Sequence, residues 1–286
     1  MRVVSLFDGI SVAREALRKA NLPVESYKAS EIDPYAIKIS KTRWPEIQHI
    51  GDVKDCSGLE MDLLIGGSPC QDLSIAKVNR EGLTGQRSRL FWEFVRIRNE
   101  SNPRWWILEN VASMSVETRN QMTEALGCMP ILIDASLVSA QSRKRLFWTN
   151  ISTVLPTEKG IKLKDILEKA VDSKYTVATS YCKAEGAGRL VGTLNGNNAQ
   201  ANRIYSIEGK SPTLSANGGG LGAKTGLYVV GEVVRRLTPV ECERLQGLPD
   251  GYTEGVSDTQ RYKTLGNAFN ADVITHILKG IRMEGL

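Results

Sequence analysis

The chain has 286 residues, of which 41% are hydrophobic, and its 37 Lys and Arg outnumber its 32 Asp and Glu to give a formal net charge of +5. This length can bury one sizeable core and support a second, smaller lobe, and the modest positive charge permits a polyanionic partner without requiring one. No apolar run approaches the roughly 20 residues of a membrane span, and no basic and apolar leader opens the chain, so we expect a soluble, cytoplasmic protein with no membrane partner.

The first half of the chain alternates between short apolar runs and amphipathic stretches. An apolar run at residues 3–7 precedes a periodic stretch that Ser11 could cap, and Asp33, followed by Pro34, could cap a second helix. Further strand-like runs, several of them separated by the helix-like segments 87–99 and 115–126, lie at residues 48–50, 62–65, 105–108, 131–137 and 145–148. This alternation predicts an α/β fold with a doubly wound, Rossmann-like, mostly parallel sheet whose ligands bind at the carboxyl ends of the strands.

The composition changes at about residue 152. Residues 186–226 contain ten glycines and few large apolar side chains. Regular pattern resumes where Thr238 and Glu241 match a capping box, and a last amphipathic helix is expected from residue 268 to about 282. We therefore predict a catalytic domain at 1–151, a small loop-rich inserted lobe at 152–233 and a return to the catalytic domain at 234–286.

Three acidic residues, Asp8, Glu31 and Asp52, follow the first three predicted strands. In a doubly wound sheet they would line one crevice, where Glu31 could accept hydrogen bonds from ribose hydroxyls and Asp52 one from an adenine amino group. The turn at residues 7–11 lacks the glycine fingerprint of a dinucleotide site, so the crevice favours a nucleoside that carries a sulfonium and an ammonium but no phosphate. The alternative is that these acids are only helix caps and turn formers.

Reactive groups follow the later strands. Residues 66–71 place the Cys70 thiol on a constrained turn, the strand at 105–108 leads to Glu109, and residues 141–145 bring Arg143 and Arg145. A thiolate, a carboxyl and an arginine fork are the groups needed to attack a pyrimidine ring. Taken singly, a cysteine is more often simply buried, a glutamate could cap a helix and arginines usually form a solvated face. Their order at successive strand ends favours the catalytic interpretation.

These groups suit methylation of cytosine at carbon 5, a carbon too weakly nucleophilic to take a methyl group unaided. Addition of the Cys70 thiolate at carbon 6 would place electron density on carbon 5, which would then attack a sulfonium methyl group. Glu109, protonated or hydrogen-bonding ring nitrogen 3, would draw charge from the adduct. Arg143 could bind the cytosine carbonyl oxygen and lower the pKa of the thiol. The sequence does not identify the base that removes the carbon-5 proton.

With these residues in place, the chain resembles the cytosine carbon-5 DNA methyltransferases over nearly its whole length outside the inserted lobe. The matching motifs occur in the family's order and are Phe7-Asp8-Gly9, Glu31, Asp52, Pro69-Cys70-Gln71, Glu109-Asn110-Val111, Gln141-x-Arg143-x-Arg145, Arg236-Leu237-Thr238, Glu243-Arg244-Leu245-Gln246-Gly247 and Gly266-Asn267-Ala268. The resemblance implies a class I methyltransferase fold, S-adenosylmethionine as the methyl donor and double-stranded DNA as the partner.

The resemblance also implies roles for individual residues. Cys70, Glu109, Arg143 and Arg145 would be catalytic, with the two arginines contacting the base and the backbone. Cofactor binding would fall to a larger set, which comprises Phe7, Asp8, Gly9, Ile10, Ser11, Glu31, Ile32, Asp52, Val53, Pro69, Leu90, Asn267 and Ala268.

Two branches of the family are mixed in this chain. The stretches at 68–75 and 89–94 resemble the animal de novo methyltransferases, whereas Gly266-Asn267-Ala268 is similar to bacterial and phage members, so we expect a bacterial or phage-encoded enzyme. Ser11 replaces a glycine common in the first motif, which could alter the approach of the backbone to the cofactor. The helix around Trp92 resembles a pairing surface of the animal branch, so a monomer or a weak homodimer is expected, with core packing as the alternative for this helix.

DNA handling requires two further features. Cys70 cannot reach a base stacked in a duplex, so the cytosine must flip out, and residues 77–88 could form a mobile loop that closes over DNA. Residues 152–232 carry ten Lys and Arg against seven Asp and Glu, so the lobe could track phosphates while its side chains probe base edges. An ordinary surface loop and a disordered insertion are the respective alternatives.

Two other functions stay open at this point. A thiol hydrolase would pair Cys70 with His49 or His276, the only histidines of the chain, and would need one of them within hydrogen-bond reach of the thiol. A non-catalytic DNA-binding homologue would need none of the catalytic groups. A metal site is not expected, because the five cysteines lie at least 14 residues apart and include no Cys-x-x-Cys pair.

Overall fold

A computed structural model describes residues 1–69, 89–184, 189–196, 198–216 and 221–283 of the chain. The chain divides into two compact units, of which the first comprises Met1–Asp134, Lys144–Leu155 and Val273–Leu286 and the second comprises Ala135–Arg143 and Pro156–Asp272. This division differs from the boundaries expected at 151 and 233, because residues 135–143 and 234–272 fall in the second unit. The recognition role assigned to residues 152–233 stays a prediction.

Within the described residues, the first unit is built on a seven-stranded sheet. In chain order the strands are β1 Arg2–Leu6, β2 Ser26–Ser30, β3 Gln48–Gly51, β4 Leu63–Gly66, β5 Trp105–Val111, β6 Ile131–Asp134 and β7 Lys144–Thr149. They lie side by side in the order β3-β2-β1-β4-β5-β7-β6. The pairs from β3 to β5 are parallel, whereas β7 runs antiparallel to both β5 and β6. The predicted mostly parallel sheet is therefore confirmed, with an antiparallel strand near one edge that the sequence did not predict.

Apart from the helix Asp258–Asn267, which the sequence did not predict, the described helices begin close to the expected positions. Their bounds are α1 Val12–Lys19, α2 Pro34–Arg43, α3 Leu90–Ser101, α4 Val116–Leu126, α5 Pro239–Leu245, α6 Asp258–Asn267 and α7 Ala271–Met283. Asp33 caps α2 as predicted, since its carboxylate accepts from the backbone N–H groups of Tyr35 and Ala36. Ser11 stands at the N-cap of α1 but makes no capping hydrogen bond, because its backbone is left-handed at φ 60° and its side chain has other partners. The cap predicted for Ser11 is therefore wrong.

The core of the first unit lies between the central strands and α3. Strand β4 is buried along its whole length, as expected for a parallel strand covered on both faces. Phe91 and Phe94 of α3 are fully buried against it. A Cβ atom at Gly66 would lie 2.8 Å from the ring of Phe94, so this glycine at the end of β4 is what allows α3 to pack so closely. The loop that leads toward Cys70 therefore starts at Gly66, whose position is fixed by this packing.

The second unit contains a second sheet where we expected loops. Its strands are β8 Thr176–Ala178, β9 Cys182–Lys183, β10 Leu190–Thr193, β11 Arg203–Tyr205, β12 Leu227–Val230 and β13 Val233–Arg236, arranged as β8-β13-β12-β11-β10-β9. Each strand has only two to four residues, and a small cluster of buried residues, Leu194, Ile204, Leu227 and Val234, packs them together. The described part of this unit is thus a small β-rich body with long connections.

The start of α5 follows the sequence prediction closely. Thr238 accepts from the N–H of Glu241, and the Glu241 carboxylate accepts from the N–H of Thr238. The same carboxylate forms a buried ion pair with Arg235, with an N···O distance of 2.6 Å. The predicted capping box is confirmed, and the ion pair fixes the end of β13 against α5.

Candidate active site

The turn between β1 and α1 is held in an unusual backbone conformation. Phe7, Gly9 and Ser11 all have positive φ angles, of 57°, 60° and 60°. Left-handed backbone at two residues other than glycine is strained unless neighbouring groups fix it. The N–H of Gly9 donates to the Glu31 carboxylate at 2.8 Å. This bond ties the turn after β1 to the residue that follows β2.

Glu31 forms a rigid carboxylate at the carboxyl end of β2. One oxygen accepts from Gly9, and the other accepts from the N–H groups of Ile32 and Asp33, both at 2.8 Å. A carboxylate has about four acceptor positions, so this one can still accept from ligand hydroxyls. The next side chain, Ile32, is 70% exposed, which leaves a bare apolar surface beside the carboxylate. A sugar and a flat aromatic ring would suit this pair of neighbours.

Asp8 does not line the crevice in the way we expected. Its side chain is 4% exposed, and its two carboxylate oxygens accept from the hydroxyls of Tyr27, at 2.6 Å, and Ser11, at 2.5 Å. Ser11 also contacts the Ser40 hydroxyl at 2.5 Å, and Ser40 lies 3.2 Å from the ring nitrogen Nε2 of His49. The Asp8 side chain therefore belongs to a buried chain of hydrogen bonds that holds the turn in place. Only its backbone could contact a ligand.

Burial raises the pKa of Asp8 to about 6, although the hydroxyls of Ser11 and Tyr27 favour the charged form. A folded-state pKa above the ordinary 3.8 means that the folded protein retains a proton which the unfolded chain has already released. The stability that Asp8 contributes is therefore fully present below about pH 4 and is lost as the pH rises through about 6.

Asp8→Asn should remove this part of the pH dependence. Between pH 4.5 and 7.5 the free energy of unfolding of the wild type should fall, relative to that of the variant, by about 2 kcal/mol. Urea denaturation at several pH values measures the difference, and Asp55→Asn at an exposed aspartate serves as the control. A difference between wild type and Asp8→Asn that stays constant with pH would contradict this assignment.

Asp52 stands at the carboxyl end of β3, the outermost strand on that side of the sheet. It begins a short 3-10 turn, Val53–Asp55, and its carboxylate accepts from the N–H of Lys54 at 3.1 Å. The side chain is half-buried, whereas that of Val53 is buried in the core. Together with Glu31 and Ile32, Asp52 gives the edge of the parallel strands two accessible carboxylates and one apolar face.

Five of the predicted cofactor residues have little or no accessible side chain. These residues, Asp8, Ile10, Ser11, Val53 and Ala268, are buried, so they could offer a ligand only backbone groups. Phe7, Gly9 and Leu90 are partly exposed, as is Pro69, the last residue described before residues 70–88. The roles of these residues toward a cofactor stay predictions.

Glu109 and Arg145 meet at the carboxyl end of β5. The Arg145 Nε atom lies 2.8 Å from a Glu109 carboxylate oxygen, and both side chains are mostly shielded, at 15% and 13% exposed. In the β5–β7 ladder Arg145 is opposite Val111, so it lies diagonally across from Glu109 on the same face. The guanidinium of Arg145 and the carboxylate of Glu109, which still has free acceptor positions, therefore lie side by side.

Asn110 ties this strand end to the loop after β4. Its side-chain amide donates to the Ser68 hydroxyl at 3.1 Å and to the Ser68 carbonyl at 3.4 Å, and all three groups are buried. Ser68 is two residues before Cys70, so the loop reaches Pro69 from a point fixed beside Glu109. The Glu109-Asn110-Val111 motif contains this asparagine, but the sequence alone does not indicate its contact with Ser68.

Arg143 occupies a different position from the one expected of a base-contacting residue. It is 3% exposed, and its guanidinium donates to the carbonyl oxygens of Gly266, at 3.2 Å, and Ala268, at 2.8 Å. A Cβ at Gly266 would clash with the backbone nitrogen of Ala216, so this glycine permits a close backbone approach. Arg143 therefore stabilises the 266–268 turn within the second unit. Contact of Asn267 and Ala268 with the cofactor stays a prediction.

Some of the residues to which a function was predicted lie outside the part of the chain that the structure describes. Cys70 and the proposed closing loop at 77–88 lie in the part of the chain that the structure does not describe. On α3, Phe91 and Phe94 are buried whereas Trp92 is 45% exposed, so core packing explains two of the three aromatic residues and self-association stays a prediction.

The two histidines have structural partners. His49 contacts Ser40, and burial together with the charge of Lys41 lowers its pKa. His276 lies 2.7 Å from the carbonyl oxygen of Val154. Among the described residues, every helix is too short or too polar to span a lipid bilayer. The same residues include no group of three His, Cys, Asp or Glu side chains that could hold a metal ion.

The chain matches known proteins over nearly its whole length. Residues 1–283 match the family model described as C-5 cytosine-specific DNA methylase. The chain is 29% identical to the type II methyltransferase M.HhaI of Haemophilus parahaemolyticus, an alignment that covers 98% of this chain and 94% of that protein. It is 28% identical to the type II methyltransferase M1.ScrFI of Lactococcus lactis subsp. cremoris, over 93% of this chain and 74% of that protein.

The fold is shared with solved structures of lower sequence identity. The methyltransferase EhMeth of Entamoeba histolytica superimposes with a TM-score of 0.78 at 15% identity, covering 99% of this chain and 98% of that one. At such an identity the likeness concerns the fold alone. It extends over almost the whole length of both chains.

Proposed function

Because the chain belongs to the family of C-5 cytosine-specific DNA methylases, we propose that it transfers a methyl group from S-adenosylmethionine to a cytosine flipped out of double-stranded DNA, with Cys70 as nucleophile. Family membership makes it a DNA (cytosine-5-)-methyltransferase and sets aside the thiol hydrolase. The observation that carries the assignment of catalytic residues is the Glu109–Arg145 pair, 2.8 Å apart beside the strand end that Asn110 ties to Ser68.

The residues at the ends of β1 to β3 fit the proposed methyl donor. Glu31, fixed by three backbone N–H groups, would accept from the ribose hydroxyls, and the exposed face of Ile32 would pack on the adenine. Asp52 would accept from the adenine amino group. Two carboxylates also favour a ligand with positive charge and no phosphate. When bound, S-adenosylmethionine supplies an electrophilic methyl group on a positively charged sulfur.

Cys70 supplies the activation that cytosine lacks. Its thiolate adds to carbon 6, and the electron pair of the carbon 5–carbon 6 double bond becomes available at carbon 5. Carbon 5 bonds to the methyl carbon while the old bond from that carbon to the donor sulfur breaks, its electron pair remaining on sulfur. Loss of the carbon-5 proton to a base then restores the double bond and expels the Cys70 thiolate.

Glu109 and Arg145 would hold the pyrimidine and stabilise its charge. A Glu109 carboxyl group that donates to ring nitrogen 3 draws off the negative charge that develops when Cys70 adds. Arg145 holds this carboxyl through Nε, its Nη1 atom donates to the carbonyl oxygen of Lys144 at 2.9 Å, and its Nη2 atom would donate to the cytosine carbonyl oxygen. Arg145, rather than the buried Arg143, is therefore the proposed contact to the base.

The flipped base and the charged lobe complete the proposal. Extrusion of the cytosine costs a few kcal/mol, roughly, in lost stacking and pairing, which contacts to DNA phosphates must offset. The excess of Lys and Arg at residues 152–232 supports phosphate binding by this segment. Side chains of the same segment would then select the target sequence.

Methyl transfer to mixed-sequence duplex DNA tests this function. The protein, incubated with S-adenosylmethionine labelled in the methyl group, should transfer label to DNA, and bisulfite sequencing should show protected cytosines within a common short sequence. An otherwise identical reaction without protein is the control. DNA binding without label transfer would support a non-catalytic homologue and contradict the proposal.

A further inference from the structure

The turn that follows β3 is held by a side chain from outside the proposed cofactor site. Arg96 lies on α3, and its Nη2 atom donates to the carbonyl oxygens of Val53, at 3.3 Å, and Cys56, at 2.9 Å. These two carbonyls belong to the segment that Asp52 begins. Arg96 thus holds the turn through two of its backbone carbonyl groups, and Asp52 is the residue at which the turn begins.

The guanidinium of Arg96 is itself oriented by two carboxylates. Glu93, one turn earlier on α3, lies 2.8 Å from Arg96, and Glu100, one turn later, lies 3.0 Å from it. Pairs at these spacings face each other along a helix. With both carboxylates in place, the planar fork of Arg96 has one direction left for donation, toward the turn. The two glutamates therefore fix the Arg96 side chain in the orientation in which it donates to the turn.

The turn needs such support because of its place in the sheet. Strand β3 lies at the sheet edge, has four residues and pairs only with β2 among the described strands. Its register also shifts near the carboxyl end. Val53 and Cys56 are buried in the same cluster as Phe91 and Phe94, so apolar packing keeps the turn in place. Hydrogen bonds from Arg96 add the directional constraint that apolar packing does not provide.

We propose that Arg96 is a positioning residue for recognition of the adenine in the methyl donor. It acts through the turn: by fixing the carbonyls of Val53 and Cys56 it fixes the orientation of the Asp52 carboxylate toward the adenine amino group. The Cys56 thiol, which donates to the Asp52 carbonyl at 3.4 Å, links the two ends of the segment. This inference rests on the proposed role of Asp52 and extends it to a residue on another element.

Discrimination between two nucleosides separates this role from a purely structural one. S-adenosylhomocysteine carries the amino group that Asp52 would accept from, whereas S-inosylhomocysteine carries an oxygen there and would face the carboxylate with an acceptor. The wild type should bind the adenosyl compound at least about tenfold more tightly. Arg96→Gln should reduce this ratio by about threefold or more, and Arg96→Lys should restore part of it.

Arg98 provides a matched control on the same helix. Its guanidinium also donates to backbone carbonyls, those of Leu126 and Ala125 at the end of α4, and stacks on Trp106. Arg98→Gln should lower thermal stability to a similar degree as Arg96→Gln but should leave the ratio of dissociation constants unchanged. Isothermal titration of both ligands with each folded variant gives these ratios.

The outcomes distinguish the two assignments. If the wild type discriminates and Arg96→Gln discriminates equally well, the role of Arg96 is overturned and that of Asp52 stands. If Arg98→Gln reduces the ratio as much as Arg96→Gln does, the effect is a general loosening of α3 and the positioning role is again overturned. If the wild type does not discriminate, the proposed contact of Asp52 fails, and the role of Arg96 fails with it.

Discussion

Replacing Cys70 with alanine should lower the rate of methyl transfer to DNA by at least about 10,000-fold, because no other group is proposed to activate carbon 5 by forming a bond at carbon 6. Binding of DNA and of S-adenosylhomocysteine should persist, since alanine removes only the sulfur. Initial rates with labelled methyl donor, alongside fluorescence anisotropy with duplex DNA, measure both properties.

Cys182→Ala is the matched control for this substitution. Cys182 is an exposed free cysteine on β9, so its removal tests for a general effect of losing a thiol. The control should retain nearly the wild-type rate. A Cys70→Ala enzyme that keeps more than a few per cent of the wild-type rate would rule out the nucleophilic role.

Glu109→Gln should lower kcat by about 100- to 1,000-fold while changing the dissociation constant for DNA by less than about threefold. Glutamine keeps the length of the side chain and can still accept from Arg145, but it cannot supply the carboxyl proton to ring nitrogen 3. The effect should therefore fall on the chemical step. Single-turnover rates at saturating DNA and methyl donor report that step directly.

Glu60→Gln serves as the control for Glu109. Glu60 is highly exposed and pairs with Arg2 on the surface, so the same chemical change there should leave kcat unaltered. An unchanged single-turnover rate in Glu109→Gln would show that Glu109 does not stabilise the adduct and that the Glu109–Arg145 pair is structural.

Features set by a few neighbouring residues could be predicted from the sequence. The cap of α2 by Asp33 and the capping box of Thr238 and Glu241 depend on side chains reaching backbone groups two or three positions away. The placement of Glu31 and Asp52 at the ends of successive parallel strands follows from strand and helix alternation alone. The side of the sheet that carries the proposed cofactor site was therefore predictable.

Features that depend on distant pairing could not be predicted in the same way. Arg145 meets Glu109 only because β7 inserts antiparallel between β5 and β6, and nothing local in the two arginines distinguishes Arg145 from Arg143. Asp8 lies in a buried polar chain because Tyr27 and Ser11 donate to it from different elements and Ser40 of α2 contacts Ser11. Sequence periodicity holds no information on such convergence.

Helix α6 and the strands of the second sheet were missed for a different reason. Helix α6 buries few large apolar side chains, chiefly Tyr262 and Leu265, so it lacks the apolar stripe from which a helix is recognised. The strands of the second sheet have two to four residues each, which is too short for alternation of polar and apolar residues to stand out. In both cases tertiary packing, not local pattern, defines the element.

A covalent trapping experiment tests the central claim most directly. In duplex DNA with 5-fluorocytosine at the sites mapped by bisulfite sequencing, addition at carbon 6 and methyl transfer to carbon 5 can proceed, but carbon 5 then has no proton to lose and the thiolate cannot be expelled. With methyl donor present, the wild-type protein should form a complex with this DNA that survives denaturing electrophoresis, and Cys70→Ala should not. If the wild type methylates the unfluorinated duplex and binds the fluorinated one, yet forms no denaturation-resistant complex with it, methyl transfer does not proceed through a bond to Cys70.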